Sequence, residues 1–245
     1  MGYNKGDTYE EHIFNTCYEN GVIPQGFSRA GAAANKPDLV IRHYDKDYKV
    51  EIKGSNLLTP DYGQRRIHYN PTSKIWVWAK QDELSKYYDD IINIKANISL
   101  SFDPIWYKKR AIPDGKNLYS AINGLEYTFD DRSYDQSTFN LDKIALPDNE
   151  ALFLYYKLKN THYIQIDKLG LYHLDKDVAN LGTQQFDGRT HFRFRVKIKG
   201  SSHPVHTCQF LGVIKLKNVN APTLSKFNLD SYNLLEGQSC PPIIP

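Results

Sequence analysis

Apolar residues Tyr9, Ile13, Phe14 and Cys17 recur at helical spacing within residues 7–20, which predicts an amphipathic helix with one stripe against a core. Asp7 or Thr8 is placed to cap it and Gly21 to stop it. A loop rich in Gly, Ala and Asn follows over 22–36. Residues 38–44 and 48–53 then read as two strands joined by a turn at Asp45–Asp47. An irregular stretch covers 54–73, IWVWA at 75–79 reads as a strand, and residues 82–95 read as a helix opened by Asp82. Helix, strand, strand, strand and helix in that order predict an α/β domain over residues 1–100. Residues 100–150 are polar and interrupted by Pro104, Pro113 and Pro147. From residue 151 the runs ALFLYYKL, THYIQI, LGLYHL, THFRFRVKIK and HTCQFLGVIKLK predict a β-rich region, so residues 101–245 are expected to form a β-rich C-terminal elaboration.

The hairpin carries charge where a core-lining hairpin has no need of it. Asp38 opens the first strand, and Glu51 and Lys53 stand two apart on the second, hence on one face. Folding the hairpin brings Asp38 alongside them. Two carboxylates and an ammonium near a core are costly unless compensated. Paired carboxylates are oxygen ligands that suit Mg²⁺, which typically takes one or two of them with waters and phosphate oxygens; Mn²⁺ accepts the same donors. The Ile52 carbonyl is a further candidate ligand. A bound ion lowers the pKa of a water and neutralises charge on a phosphate; a neighbouring lysine orients that water or stabilises the same charge.

Pro37-Asp38 followed by Glu51-Ile52-Lys53 resembles the PD-(D/E)xK nuclease superfamily, which includes many restriction endonucleases and the archaeal Holliday junction resolvases. Residues 5–40 are similar to the resolvases' N-terminal part: Lys5-Gly6, Glu10 four residues on, a helix, and a loop with Ser28, Arg29 and Gly31 before the Pro-Asp. The resemblance spans residues 5–80. It implies a restriction-endonuclease-like core, a central mixed sheet flanked by helices. It also implies a metal-assisting role for Glu10 beside Asp38, Glu51 and Ile52, and a water-positioning or water-activating role for Lys53. The family's QxxxY pattern is not met after Gln64, since residue 68 is His and residue 69 Tyr.

Candidate DNA contacts are Arg29 in that loop, then Gln64, Arg65, Arg66 and His68 in the basic, aromatic stretch 62–70. A third set lies in THFRFRVKIKG, where His191, Arg193, Arg195, Lys197 and Lys199 alternate with Phe192, Phe194, Val196 and Ile198. An acid-free row of cations is the electrostatic footprint of a polyanion-binding surface. The net charge of +3 permits such a partner without requiring one.

Other chemistry is disfavoured. Cys17, Cys208 and Cys240 are odd in number and lack metal spacing, which argues against a disulfide framework or zinc knuckle. His203 and His206 lack further ligands at zinc spacing and suit a turn. The chain has no P-loop and no GxSxG elbow. No apolar leader or membrane-length run is visible, so a soluble cytoplasmic protein with no membrane partner is expected. The expected activity is a Mg²⁺-dependent, site-specific endonuclease of double-stranded DNA acting as a homodimer, since cutting both strands takes two sites. A Holliday junction resolvase, or a non-catalytic DNA-binding module on the same fold, are the alternatives.

Overall fold

A computed structural model describes residues 5–29, 37–54, 61–70, 73, 75–92, 104–111, 120–121, 127–139, 143–146, 148–198, 208–216, 221–230 and 237–245. In chain order the elements are α1 (Lys5–Glu19), β1 (Leu39–His43), β2 (Lys46–Lys53), β3 (Asp61–Asn70), β4 (Ile75–Trp78), α2 (Glu83–Ile92), α3 (Ile105–Lys109), β5 (Arg110–Ala111) and β6 (Ser120–Ala121). They continue with α4 (Phe129–Phe139), β7 (Lys143–Ala145), α5 (Glu150–Leu158), β8 (Tyr163–Ile166), β9 (Gly170–His173), β10 (Thr190–Ile198) and β11 (Cys208–Leu216). The protein is mixed α/β, with a four-stranded sheet ordered β1-β2-β8-β9, a five-stranded sheet ordered β4-β3-β11-β10-β7, and the small β5-β6 pair. No helix among the described residues is long and apolar enough to cross a membrane.

The sequence suggested a boundary near residue 100, but the two compact units interleave. The first unit takes residues 1–60, 148–190 and 216–245; the second takes 61–147 and 191–215. The second unit is thus built from two stretches, one between β2 and α5 and one after β9, and long-range strand pairing, invisible to a linear reading, assembles both sheets.

In the first unit, α1 starts at Lys5, so Asp7 and Thr8 lie within its first turns rather than capping it. Tyr9, Ile13 and Cys17 form the expected stripe and pack with Leu39, Ile41, Val50 and Ile52. The hairpin pairs His43 with Lys46, so the turn is Tyr44–Asp45, earlier than Asp45–Asp47. Both turn residues have positive φ, 46° and 61°, as the type I′ turn favoured by strand twist requires. β2 pairs in parallel with β8, and β8 antiparallel with β9. A parallel partner needs a crossover, and α5 leads into β8. The run ALFLYYKL, expected as a strand, is that helix, with Ala151, Leu152 and Tyr156 buried. A short apolar run cannot by itself separate a strand from a buried helix; here the Asp148 carboxylate accepts the Glu150 N–H at 2.9 Å at the helix start.

In the second unit, residues 61–70, expected as an irregular loop, form β3 between β4 and β11. Tyr62, Ile67 and Tyr69 are buried along it, and sheet burial on one side overrides the polar appearance of YGQRRIHYN. An aromatic core joins Trp76 to Tyr107, Phe139 and Phe210, and Trp78 to Tyr88 and Phe192. Within the supposedly irregular 100–150 segment, buried Asp135 accepts the N–H groups of Ile105 and Trp106 at 2.8 and 2.9 Å and the Tyr127 hydroxyl at 2.8 Å. One carboxylate thereby fastens the start of α3 to α4.

Candidate active site

β2 sorts its residues between two faces. Val50 and Ile52 are buried against α1, while Glu51 and Lys53 project from the other face. Backbone groups are sorted likewise. The Lys49 and Lys53 carbonyls accept His162 and Asp167 N–H groups on the β8 side, each at 3.0 Å. The amide and carbonyl of Ile52 therefore turn toward β1. β1 begins only at Leu39, and the Asp38 side chain takes the next backbone donor instead: its Oδ2 accepts the Ile52 N–H at 2.9 Å. The first carboxylate is thus fixed to the strand that carries the second.

Glu51 is 7% exposed. Its Oε1 accepts the Lys53 ammonium at 2.5 Å and its Oε2 the ammonium of Lys159 at 3.1 Å. Burial opposes ionisation of Glu51, but the charges of Lys53 and Lys159 outweigh it and hold the carboxyl below its usual range. Asp38 goes the other way. Burial and then the charge of Glu51 lift its carboxyl above the usual range, with Lys53, the Ile52 N–H and Lys159 opposing. Burial disfavours the Lys53 ammonium, yet Glu51 and Asp38 more than compensate and keep it protonated well beyond neutral pH.

Asp38, Glu51, Ile52 and Lys53 are therefore brought together as the motif predicts. Glu10 is half-buried on α1, the helix that packs on the face opposite to Glu51 and Lys53. Lys159 was missed. It stands just past α5, 108 residues from Glu51, and a strand reading of 151–158 gave no reason to direct it anywhere. A helical reading, with Tyr155 and Lys159 one turn apart, would have been the available signal.

Arg29 is half-buried and lies 3.8 Å from Glu11. The remaining candidates belong to the second unit, on strands rather than in a loop. Gln64 donates to Asp61 at 2.8 Å, Arg65 pairs with Asp82, and Arg195 pairs with Asp61. These acids are partners that a row of cations on paper did not reveal. Arg66 and Lys197 are exposed and Arg193 is half-buried. Burial and then the charge of Arg66 lower the pKa of His68, which favours its neutral ring. Lys199, His203 and His206 lie outside the described residues.

No family model, curated protein or solved structure matches this chain.

The donor set suits a hard divalent cation. Among the described residues no three His, Cys, Asp or Glu side chains gather as a metal-binding group; the site offers two carboxylates and the Ile52 carbonyl, the number Mg²⁺ uses when phosphate and water complete its shell. Burial first, and then the charge of Glu51, disfavour an ionised Asp38, and a divalent cation on the two carboxylates would offset both.

Proposed function

We propose that the protein is a Mg²⁺-dependent endonuclease that hydrolyses phosphodiester bonds of double-stranded DNA. The observation that carries this reading is the convergence of Asp38, Glu51 and Lys53 at the open end of the β1-β2 hairpin, with Ile52 bonded to Asp38. It is the arrangement that the PD-(D/E)xK resemblance implies. The mixed sheet, with α1 on one face and α5 leading into its parallel strand, suits a restriction-endonuclease-like core.

Asp38, Glu51 and the Ile52 carbonyl hold the ion, with Mn²⁺ as a substitute. Mg²⁺ so bound supplies a polarised water and neutralises phosphate charge. Lys53 stays protonated, so it donates hydrogen bonds to the attacking water or to a phosphate oxygen and stabilises the negative charge that develops there. It has no lone pair with which to take a proton. Glu51 orients that ammonium through the 2.5 Å contact. Glu10, implied by the family spacing, stands on α1 against the other face of β2, so it is given no part in holding the ion.

The second unit, with Arg66 and Lys197 exposed on its sheet, is the natural source of DNA contacts and sequence recognition. Scission of both strands takes two copies of the site, hence a homodimer. The deciding experiment is incubation of plasmid and phage DNA with the protein in Mg²⁺, Mn²⁺, Ca²⁺ or EDTA. Discrete fragments in Mg²⁺ and Mn²⁺, DNA binding without cleavage in Ca²⁺, and no cleavage in EDTA are expected. Cutting confined to four-way junctions assigns a resolvase instead, and full activity in EDTA refutes the metal-dependent mechanism.

A further inference from the structure

The site contains a second cation that the motif does not explain. Lys159 follows α5, and its ammonium lies 5.5 and 5.6 Å from the ring centroids of Tyr155 and Tyr156 and 3.1 Å from Glu51 Oε2. Cation–π attraction holds its direction at small cost. Lys53 alone gives Glu51 a close, buried ion pair: its side chain is 14% exposed, against 34% for Lys159. The second ammonium is the more solvent-exposed of the two. It also acts on Asp38, so it sits within the field of both metal-binding carboxylates. A divalent cation on those carboxylates repels a neighbouring ammonium, and of the two lysines Lys159 is the one with room to move.

We propose that Lys159 is a phosphate-binding residue of this site, resting on Glu51 Oε2 in the DNA-free protein and turning to a DNA phosphate once Glu51 is taken by a divalent cation. The inference rests on the nuclease reading above and adds to it a substrate contact supplied by α5. It makes Lys159 a competitor of the metal in the free protein and a partner of DNA in the complex.

The test compares wild type with Lys159→Gln in two binding measurements. Mn²⁺ is titrated into the DNA-free protein by calorimetry. A 30-base-pair duplex is then titrated in Ca²⁺ at several salt concentrations. Losing one phosphate contact lowers the slope of log K against log salt by about 0.9, while Mn²⁺ affinity is undiminished or increased. Lys159→Arg restores the slope. An unchanged slope overturns the phosphate contact, and weakened Mn²⁺ binding overturns the competition, making Lys159 a positioning residue for Glu51. If Lys159→Gln loses its fold, Lys159→Met keeps an apolar stem over the two rings and takes its place. Failure of the nuclease reading shows separately, in wild type that neither binds Mn²⁺ nor cuts DNA.

Discussion

Asp38 Oδ2 accepts the backbone N–H of Ile52 at 2.9 Å, so the carboxylate at the head of β1 is registered to the residue between Glu51 and Lys53. The bond uses a donor that β1, starting one residue later, leaves open. It also holds the Asp38 carboxyl where burial, and then the charge of Glu51, disfavour its ionisation, an electrostatic cost. Such a cost is typical of sites arranged for chemistry rather than stability.

Glu51→Ala and Lys53→Ala each remove one group of this arrangement. On the nuclease reading, each lowers the cleavage rate in Mg²⁺ by about 10²-fold or more, the scale seen when one stabilising group is lost. Circular dichroism serves as the control for fold. Near-wild-type cutting by folded Lys53→Ala protein refutes the role given to that lysine.

Asp38→Asn retains an oxygen acceptor for Ile52 but removes the buried charge beside Glu51. A raised carboxyl pKa contributes stability below the ordinary carboxylate range and loses it as pH rises through the folded-state value. Asp38→Asn is therefore expected to be more heat-stable than wild type at pH 7, by a Tm shift of about 2–4 °C per kcal/mol gained, with the advantage fading toward pH 3. Glu51→Gln behaves oppositely. The depressed pKa of Glu51 gives stability above the ordinary carboxylate range that is lost as pH falls, and the amide leaves two ammoniums without their counter-charge. Thermal melts of both variants between pH 3 and pH 7 check the signs.

In the second unit, the exposed cations and the paired ones should part company. Arg66→Ala and Lys197→Ala remove side chains free to meet a phosphate, so each is expected to reduce the salt slope of DNA binding by about 0.9 while leaving Tm nearly unchanged. Arg195→Ala breaks the pair with Asp61 and is expected to lower Tm as well, since it removes the cation from beside a carboxylate only 9% exposed. Salt-dependent binding titrations and melts on the three variants separate the two behaviours; a flat response to Arg66→Ala and Lys197→Ala places the DNA contacts elsewhere.

Gly212 of β11 lies under aromatic rings: an added Cβ would collide with Phe192 and stand 2.9 Å from Trp78. Gly212→Ala should destabilise the second unit by about 1–3 kcal/mol, the range for overpacking a tight core. Denaturant unfolding followed by tryptophan fluorescence reads the change directly, as Trp76 and Trp78 are buried in the same sheet.

What the sequence by itself determined was local and periodic. The α1 stripe of Tyr9, Ile13 and Cys17, the alternation of Val50 and Ile52 with Glu51 and Lys53, and that of Phe192, Phe194 and Val196 with Arg193 and Arg195 follow from helix and strand geometry alone. They were legible, and with them the meeting of Asp38, Glu51 and Lys53, because a short hairpin brings its own ends together. Tertiary structure decided whatever depended on distant chain. β3 is a strand because β4 and β11 pair with it, and the 151–158 run is a helix leading into the parallel strand β8. Asp61 and Asp82 neutralise arginines that looked unopposed in sequence. Lys159 belongs to the site because α5 delivers it across 108 residues. Hydrophobic periodicity records which face of an element is buried; it carries no record of which distant element buries it or of which charge completes a site.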